Sequence, residues 1–249
     1  MKKKHLDEHS AEAIEKRLTE GVSKNYLSDF IYGSIDGTVT TFAVVSGVAG
    51  AKLAPEVIVI LGVANLLADG FSMAAGCFQS IKANIQLRDK YRKMEEEHIE
   101  LYPEGEKEEV KQIFANKGFE GKTLDNVVEV ITSNKKLWVD TMLTEEFDLS
   151  LESENPWKAG LVTFGAFAII GTIPLTPYLW NFFWTNGLQI TNPFFWSIAF
   201  TAICFFLIGS VKGKIVGLRW WTAGFETLFV GGVAAYISYI IGAWLSKFI

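Results

Sequence analysis

From Ala159 to Val211 the chain carries no Asp, Glu, Lys, Arg or His. Such a run cannot form the surface of a soluble domain, and it is long enough for two membrane crossings, each of which needs about 20 apolar residues. Charged residues nevertheless make up 20% of the 249 residues, and many of them gather between Lys82 and Trp157. The pattern implies lipid-embedded segments interrupted by a water-exposed one. Five stretches read as spans: Phe30 to Ala51, Val57 to Ile81, Ala159 to Trp180, Pro193 to Val211 and Trp220 to Ser246. Pro174 and Pro177 are expected to kink or end the third. Trp180, Trp184 and Trp196 stand where an interfacial aromatic belt falls.

The basic residues set the orientation. Lys2, Lys3, Lys4, Lys16, Arg17 and Lys24 precede the first span, Lys82, Arg88, Lys90, Arg92 and Lys93 follow the second, and Lys212, Lys214 and Arg219 lie between the fourth and fifth. In a five-span arrangement all three groups share one side, while the opposite loops carry only Lys52. The positive-inside rule makes that side cytoplasmic. The expected organisation is all-α: a cytoplasmic N-terminal segment (1–28), spans one and two (29–81), a cytoplasmic acidic helical domain (82–157) inserted between spans two and three, and spans three to five (158–249). Met1 to Asn25 is charged and lacks an apolar core, so a cleavable signal peptide is not expected. Cys77 and Cys204 both sit in apolar stretches, which argues against a disulfide framework. The net charge of -5 gives no reason to expect nucleic-acid binding.

Ionisable groups within spans are functional candidates because burying them in lipid is costly. Asp36 is the only charge in the first span, with Thr40 one turn on; Gly33 and Gly37 form a small-xxx-small pair that permits close helix approach. In the second span Asn65, Asp69 and Met73 fall at i, i+4 and i+8, with Cys77 extending the stripe. Hard oxygen combined with soft sulfur suits a divalent transition metal better than Ca²⁺ or Mg²⁺. The competing reading is that Asp36 and Asp69 only hydrogen-bond neighbouring helices, that Met73 only packs, and that Glu226 is interfacial.

In the acidic segment, a helix is expected to continue from span two to Leu101, break at Pro103, resume from Glu104 to Lys117 and end at Gly118. Further helical stretches follow Thr123 and run from Lys135 to Phe147. The window Glu95 to Glu109 holds eight glutamates and one Lys. Glu97 and Glu100, and again Glu106 and Glu109, are spaced i, i+3, and a hairpin about Pro103 brings the pairs together. Four clustered carboxylates repel one another unless a cation neutralises them. Met142, Glu145 and Glu146 add sulfur and carboxylate on one face. Glu95 and His98 make an ExxH spacing of the kind used in di-iron bundles, but a single copy is a weak signal, and an exposed His98 is the expected reading. A solvated acidic face is the alternative for the whole run.

The segments Asp36-Gly37-Thr38-Val39-Thr40-Thr41 through Gly47, and Asn65-Leu66-Leu67-Ala68-Asp69-Gly70-Phe71-Ser72-Met73 through Gly76, resemble the first two spans of the vacuolar iron transporter family. Trp138 to Glu146 is similar to the end of that family's metal-binding domain. The resemblance runs from about Leu27 to Gly242 and fits a bacterial-type member with a cytoplasmic metal-binding domain. It implies a homodimer that exports Fe²⁺, and also Mn²⁺, with Zn²⁺ or Co²⁺ as further candidates, from the cytosol in exchange for protons, with no fixed cofactor. It implies a pathway through Asp36 and Met73, with Asn65 where plant members carry a glutamate and Asp69 as its stand-in. It implies domain ligands Glu97, Glu100, Glu106, Glu109, Met142 and Glu146, with Leu143 in place of a second methionine. The membrane is the plasma membrane for a bacterial protein and the vacuolar membrane for a eukaryotic one. A membrane-anchored metal sensor without transport is the rival reading. An enzyme is disfavoured, because no nucleophile–base set occurs and the three histidines lie outside the spans.

Overall fold

The structure, a computed structural model, describes residues 10–20, 26–152, 154–184 and 187–248, the side chains of 16–20 excepted. Lys2, Lys3, Lys4, Lys24, His5 and His9 lie outside the described residues. Every regular element described is helical: α1 (Ala11–Glu20), α2 (Leu27–Gly50), α3 (Pro55–Leu101), α4 (Pro103–Asn116), α5 (Gly121–Thr132), α6 (Lys135–Glu145), α7 (Pro156–Gly171), a 3₁₀ turn (Ile173–Leu175), α8 (Thr176–Phe183), α9 (Pro193–Ile215) and α10 (Trp220–Leu245). The chain divides into two compact units, Met1–Ala74 with Leu161–Ile249, and Ala75–Gly160.

Among the described residues four helices are long and apolar enough to cross a membrane: α3, α7 continued through α8, α9 and α10. In α3 the apolar part is the Val57–Ile81 stretch; charged residues follow from Lys82 onward. Large apolar side chains stand exposed on these helices, among them Ile60, Phe71, Ile169 and Phe229, as lipid-facing residues do. The first expected span, α2, is not among the four. It is 24 residues long, but Ser34, Asp36, Thr38, Thr40, Thr41 and Ser46 lower its apolar character. Its polar side chains point inward instead, with Ser34, Thr38 and Thr41 fully buried.

That burial follows from how α2 packs in the first unit. It lies along α10 and α9, and its glycines let α7 approach. A Cβ on Gly33 would stand 2.5 Å from the Thr163 carbonyl oxygen, and one on Gly37 2.5 Å from that of Phe167. On the α10 side Ser238 donates to the Ala43 carbonyl at 2.5 Å. Phe42, Val45, Leu66, Phe167 and Leu175 form the apolar core, with Met73 against its edge.

The expected disturbance at Pro174 and Pro177 is the 3₁₀ turn between α7 and α8. Pro177 has no N–H to offer the Ile173 carbonyl one turn back; the Thr176 hydroxyl donates to that oxygen at 2.7 Å instead. Ser197 of α9 donates to the Pro174 carbonyl at 2.6 Å. Asn192, in the left-handed region at φ 58, caps α9 by accepting from Phe195 N. At the other end of α8, Trp180 and Trp184 stack with centroids 4.7 Å apart.

In the second unit the charged part of α3 is followed by α4, α5 and α6. Pro103 opens α4, and Gly118, at φ 93, follows its C-cap, Lys117. Asn134 caps α6 by accepting from Leu137 N. Ile99, Val110, Ile131, Trp138, Val139, Met142 and Leu143 make a second apolar core. Arg92 donates to Asp140 at 2.5 Å and ties α3 to α6.

Candidate metal centre

The helical phase of α3 and α4 decides which glutamates meet. Ile99 and Val110 point into the second core, so the residues one turn before each, Glu95 and Glu106, are drawn inward on the same faces. Both are almost wholly buried, at 2% and 5% exposure. Tyr102 N bonds to the His98 carbonyl and Glu106 N to the Tyr102 carbonyl, a tight turn that folds α4 back beside the end of α3. His98 Nδ1 then lies 3.3 Å from Glu106 Oε1 and 3.9 Å from Glu95 Oε1. The second carboxylate oxygens, Glu95 Oε2 and Glu106 Oε2, are buried with no hydrogen-bond partner.

Glu109, one turn beyond Glu106, and Glu146, just after α6, stand at the rim, close enough to act on the buried pair. Burial first, and then the charges of Glu106, Glu146 and Glu109, push Glu95 up to about 8. Glu106 is raised by burial and by Glu109, with His98 working against the rise. Glu146 is raised by burial, then by Glu109 and Glu106. A site that strains so many carboxylates toward their neutral forms is one that a divalent cation relieves. Among the described residues, no three His, Cys, Asp or Glu side chains already stand in coordinating positions. Rotation of side chains is needed before they converge on one ion.

Of the expected domain ligands, the structure therefore groups Glu106, Glu109 and Glu146 and leaves out two. Glu97 is exposed and borders a surface recess with Asp89, Lys90, Lys93 and Met94. Glu100 is exposed and paired with Lys135, which holds its carboxyl below the usual range. Glu95 and His98 take the inner places. Met142 is fully buried in the apolar core, one turn before Glu146. Glu145 pairs with Lys117.

In the first unit Asn65, Asp69 and Met73 form a half-buried stripe on α3, as their spacing requires. Asp36 of α2 is also half-buried and experiences the charge of Asp69. Asn65 Nδ2 is buried without a hydrogen-bond partner. Thr40 donates to the backbone carbonyl of Asp36 at 2.9 Å, so its hydroxyl serves the helix rather than the carboxylate.

The model of the VIT family matches residues 27–243, most of the chain. The chain belongs to the VIT family. A relative named vacuolar iron transporter, from Plasmodium berghei (strain Anka), is 32% identical over 247 residues, covering 97% of this chain and 86% of its own length. A protein of the same name from Toxoplasma gondii (strain ATCC 50861 / VEG) is 32% identical, covering 90% of this chain and 75% of its own. Vacuolar iron transporter 1 of Arabidopsis thaliana is 29% identical, covering 95% of this chain and 90% of its own. VIT family members are transporters, not enzymes, and the four apolar helices make this member a multi-pass membrane protein. The matched span takes in both α2, with Asp36, and the acid cluster of the second unit.

Proposed function

We propose that this chain is an exporter of divalent transition metal, Fe²⁺ and also Mn²⁺, that works as a homodimer by proton antiport. The observation that carries the reading is the buried carboxylate pair Glu95 and Glu106, two of whose oxygens lack partners, in a chain of a transporter family. The acidic unit gathers metal through Glu95, Glu106, Glu109 and Glu146, with Met142 as a neighbouring thioether. Asp36, Asp69 and Met73, with Asn65 beside them, pass the metal across the membrane. Inward-moving protons neutralise the carboxylates and release the ion on the far side.

In this reading α2 is a fifth span. A helix with an Asp and several hydroxyls can cross lipid when other helices cover its polar face, and α2 is covered by α7, α9 and α10. The basic residues then place the N-terminus and the acidic domain in the cytoplasm. The membrane is the plasma membrane in a bacterial cell and the vacuolar membrane in a eukaryotic one.

Reconstitution tests the proposal directly. Proteoliposomes with an imposed pH gradient take up Fe²⁺ or Mn²⁺ against a metal-sensitive dye, and the flux collapses with the gradient. Metal binding without flux assigns the chain to sensing instead, and flux indifferent to the gradient removes the antiport.

A further inference from the structure

We propose that His98 is a nitrogen ligand of the acidic unit's metal site, and that it tilts the site toward Fe²⁺, Co²⁺ and Zn²⁺ and away from Mn²⁺. The proposal rests on the reading of the carboxylate cluster as a metal site. Its starting point is a distance. Two donors held at about 2.1 Å from one ion stand roughly 3.0–3.4 Å apart in octahedral or tetrahedral geometry. His98 Nδ1 and Glu106 Oε1 stand 3.3 Å apart. Glu95 Oε1, at 3.9 Å from the same nitrogen, needs only a small side-chain rotation to join them.

The surroundings point to a shared guest. Glu95 Oε2 and Glu106 Oε2 are buried and have no hydrogen-bond donor. Without metal, the pair can answer these oxygens only by sharing a proton between Glu95 and Glu106. An ion seated between the imidazole and the two carboxylates engages them. The backbone fixes the donors in place: Glu95 and His98 are one turn apart on α3, and the Tyr102 turn returns Glu106 to them. The imidazole is half-exposed, and its Nδ1 faces the carboxylates.

Ligand chemistry then sets the preference. Carboxylate oxygen alone suits Mn²⁺ along with Mg²⁺ and Ca²⁺, whereas imidazole suits Fe²⁺ and Zn²⁺ and follows the rising affinity order from Mn²⁺ to Co²⁺. A site of carboxylates plus one imidazole discriminates where an all-carboxylate site does not.

The test uses the full chain in detergent, without a histidine tag, in a His5→Ala/His9→Ala background, where His98 is the one remaining histidine. Co²⁺ and Mn²⁺ are the calorimetric probes, and X-ray absorption at the cobalt edge reads the ligands. The expected result is outer-shell imidazole scattering that disappears in His98→Gln, with the Co²⁺-to-Mn²⁺ affinity ratio falling about tenfold or more. Binding that is lost in Glu106→Gln, but shows no imidazole scattering and an unchanged ratio in His98→Gln, overturns the role of His98 alone. So does a His98→Gln variant that binds both ions equally more tightly, since that is how a mere counter-charge behaves. No binding, or binding indifferent to Glu106→Gln, overturns the metal-site reading and this proposal with it.

Discussion

In the proposed reading, metal binding to the acidic unit has to displace a proton. Burial and three neighbouring carboxylates push Glu95 up to about 8 from its ordinary value of 4.5. At pH 7 the metal-free Glu95–Glu106 pair therefore keeps a proton in most molecules, and a bound cation expels it. Calorimetry in buffers of different ionisation enthalpy is expected to show about one proton released per ion at pH 7, and distinctly less at pH 9. Apparent affinity rises about tenfold per pH unit up to pH 8 and flattens above it. The sign for stability is opposite. Because the folded-state value is raised, the metal-free folded chain binds more protons than the unfolded chain between pH 4.5 and about 8. Its stability falls as pH rises through that window, by at most about 1.4 kcal/mol per pH unit for one proton. Glu95→Gln reduces the slope and the proton release together, leaving the smaller contributions of Glu106 and Glu146. Release near zero at pH 7 in the native chain, or an unchanged slope in Glu95→Gln, refutes the assignment of a buried, proton-holding carboxylate at this position.

Three further expectations can be checked separately. Glu106→Gln weakens Co²⁺ binding by at least tenfold while Glu97→Gln leaves it within twofold, as measured by calorimetry on the full chain; equal effects of the two would contradict the helical phase described above. Asp36→Asn abolishes metal flux in proteoliposomes without lowering metal binding by the acidic unit, and a variant that transports at the native rate removes Asp36 from the pathway. Gly37→Ala sets a Cβ 2.5 Å from the Phe167 carbonyl oxygen, which destabilises the chain by about 1–3 kcal/mol; an unchanged thermal midpoint in detergent would deny the close approach of α2 and α7.

Hydropathy and proline placement made most of the helices readable, because each is a local property. The break at Pro174 and Pro177 and the turn at Pro103 follow directly from a missing N–H and a fixed φ. The inner glutamates were harder. Spacing alone makes Glu97/Glu100 and Glu95/His98 equivalent pairs, since both are i, i+3 on one helix. What separates them is which face the helix buries, and that is set by partners distant in sequence: Ile99 packs with residues of α6, and Arg92 is tied to Asp140. The signal was present in the chain as Glu95 four residues before Ile99 and Glu106 four before Val110, but it is decisive only once the core is known. In α2 the same limit appears reversed. Its hydroxyls look like a defect in a lipid-facing helix and make sense only when α7, α9 and α10 are seen to cover them.

The polarity of α2 also bears on how the protein is made. Under the five-span reading, this first crossing emerges from the ribosome before any helix that can shelter Ser34, Thr38 and Thr41. Its long neighbours α9 and α10 are synthesised well after it. A segment too polar to partition into lipid unaided must be held at the insertion machinery, or enter late, until its partners arrive. Integration of α2 then depends on α9 and α10. A chain truncated before Trp220 would leave α2 poorly anchored, and quality-control proteolysis would see a defect at the opposite end of the sequence from the lesion.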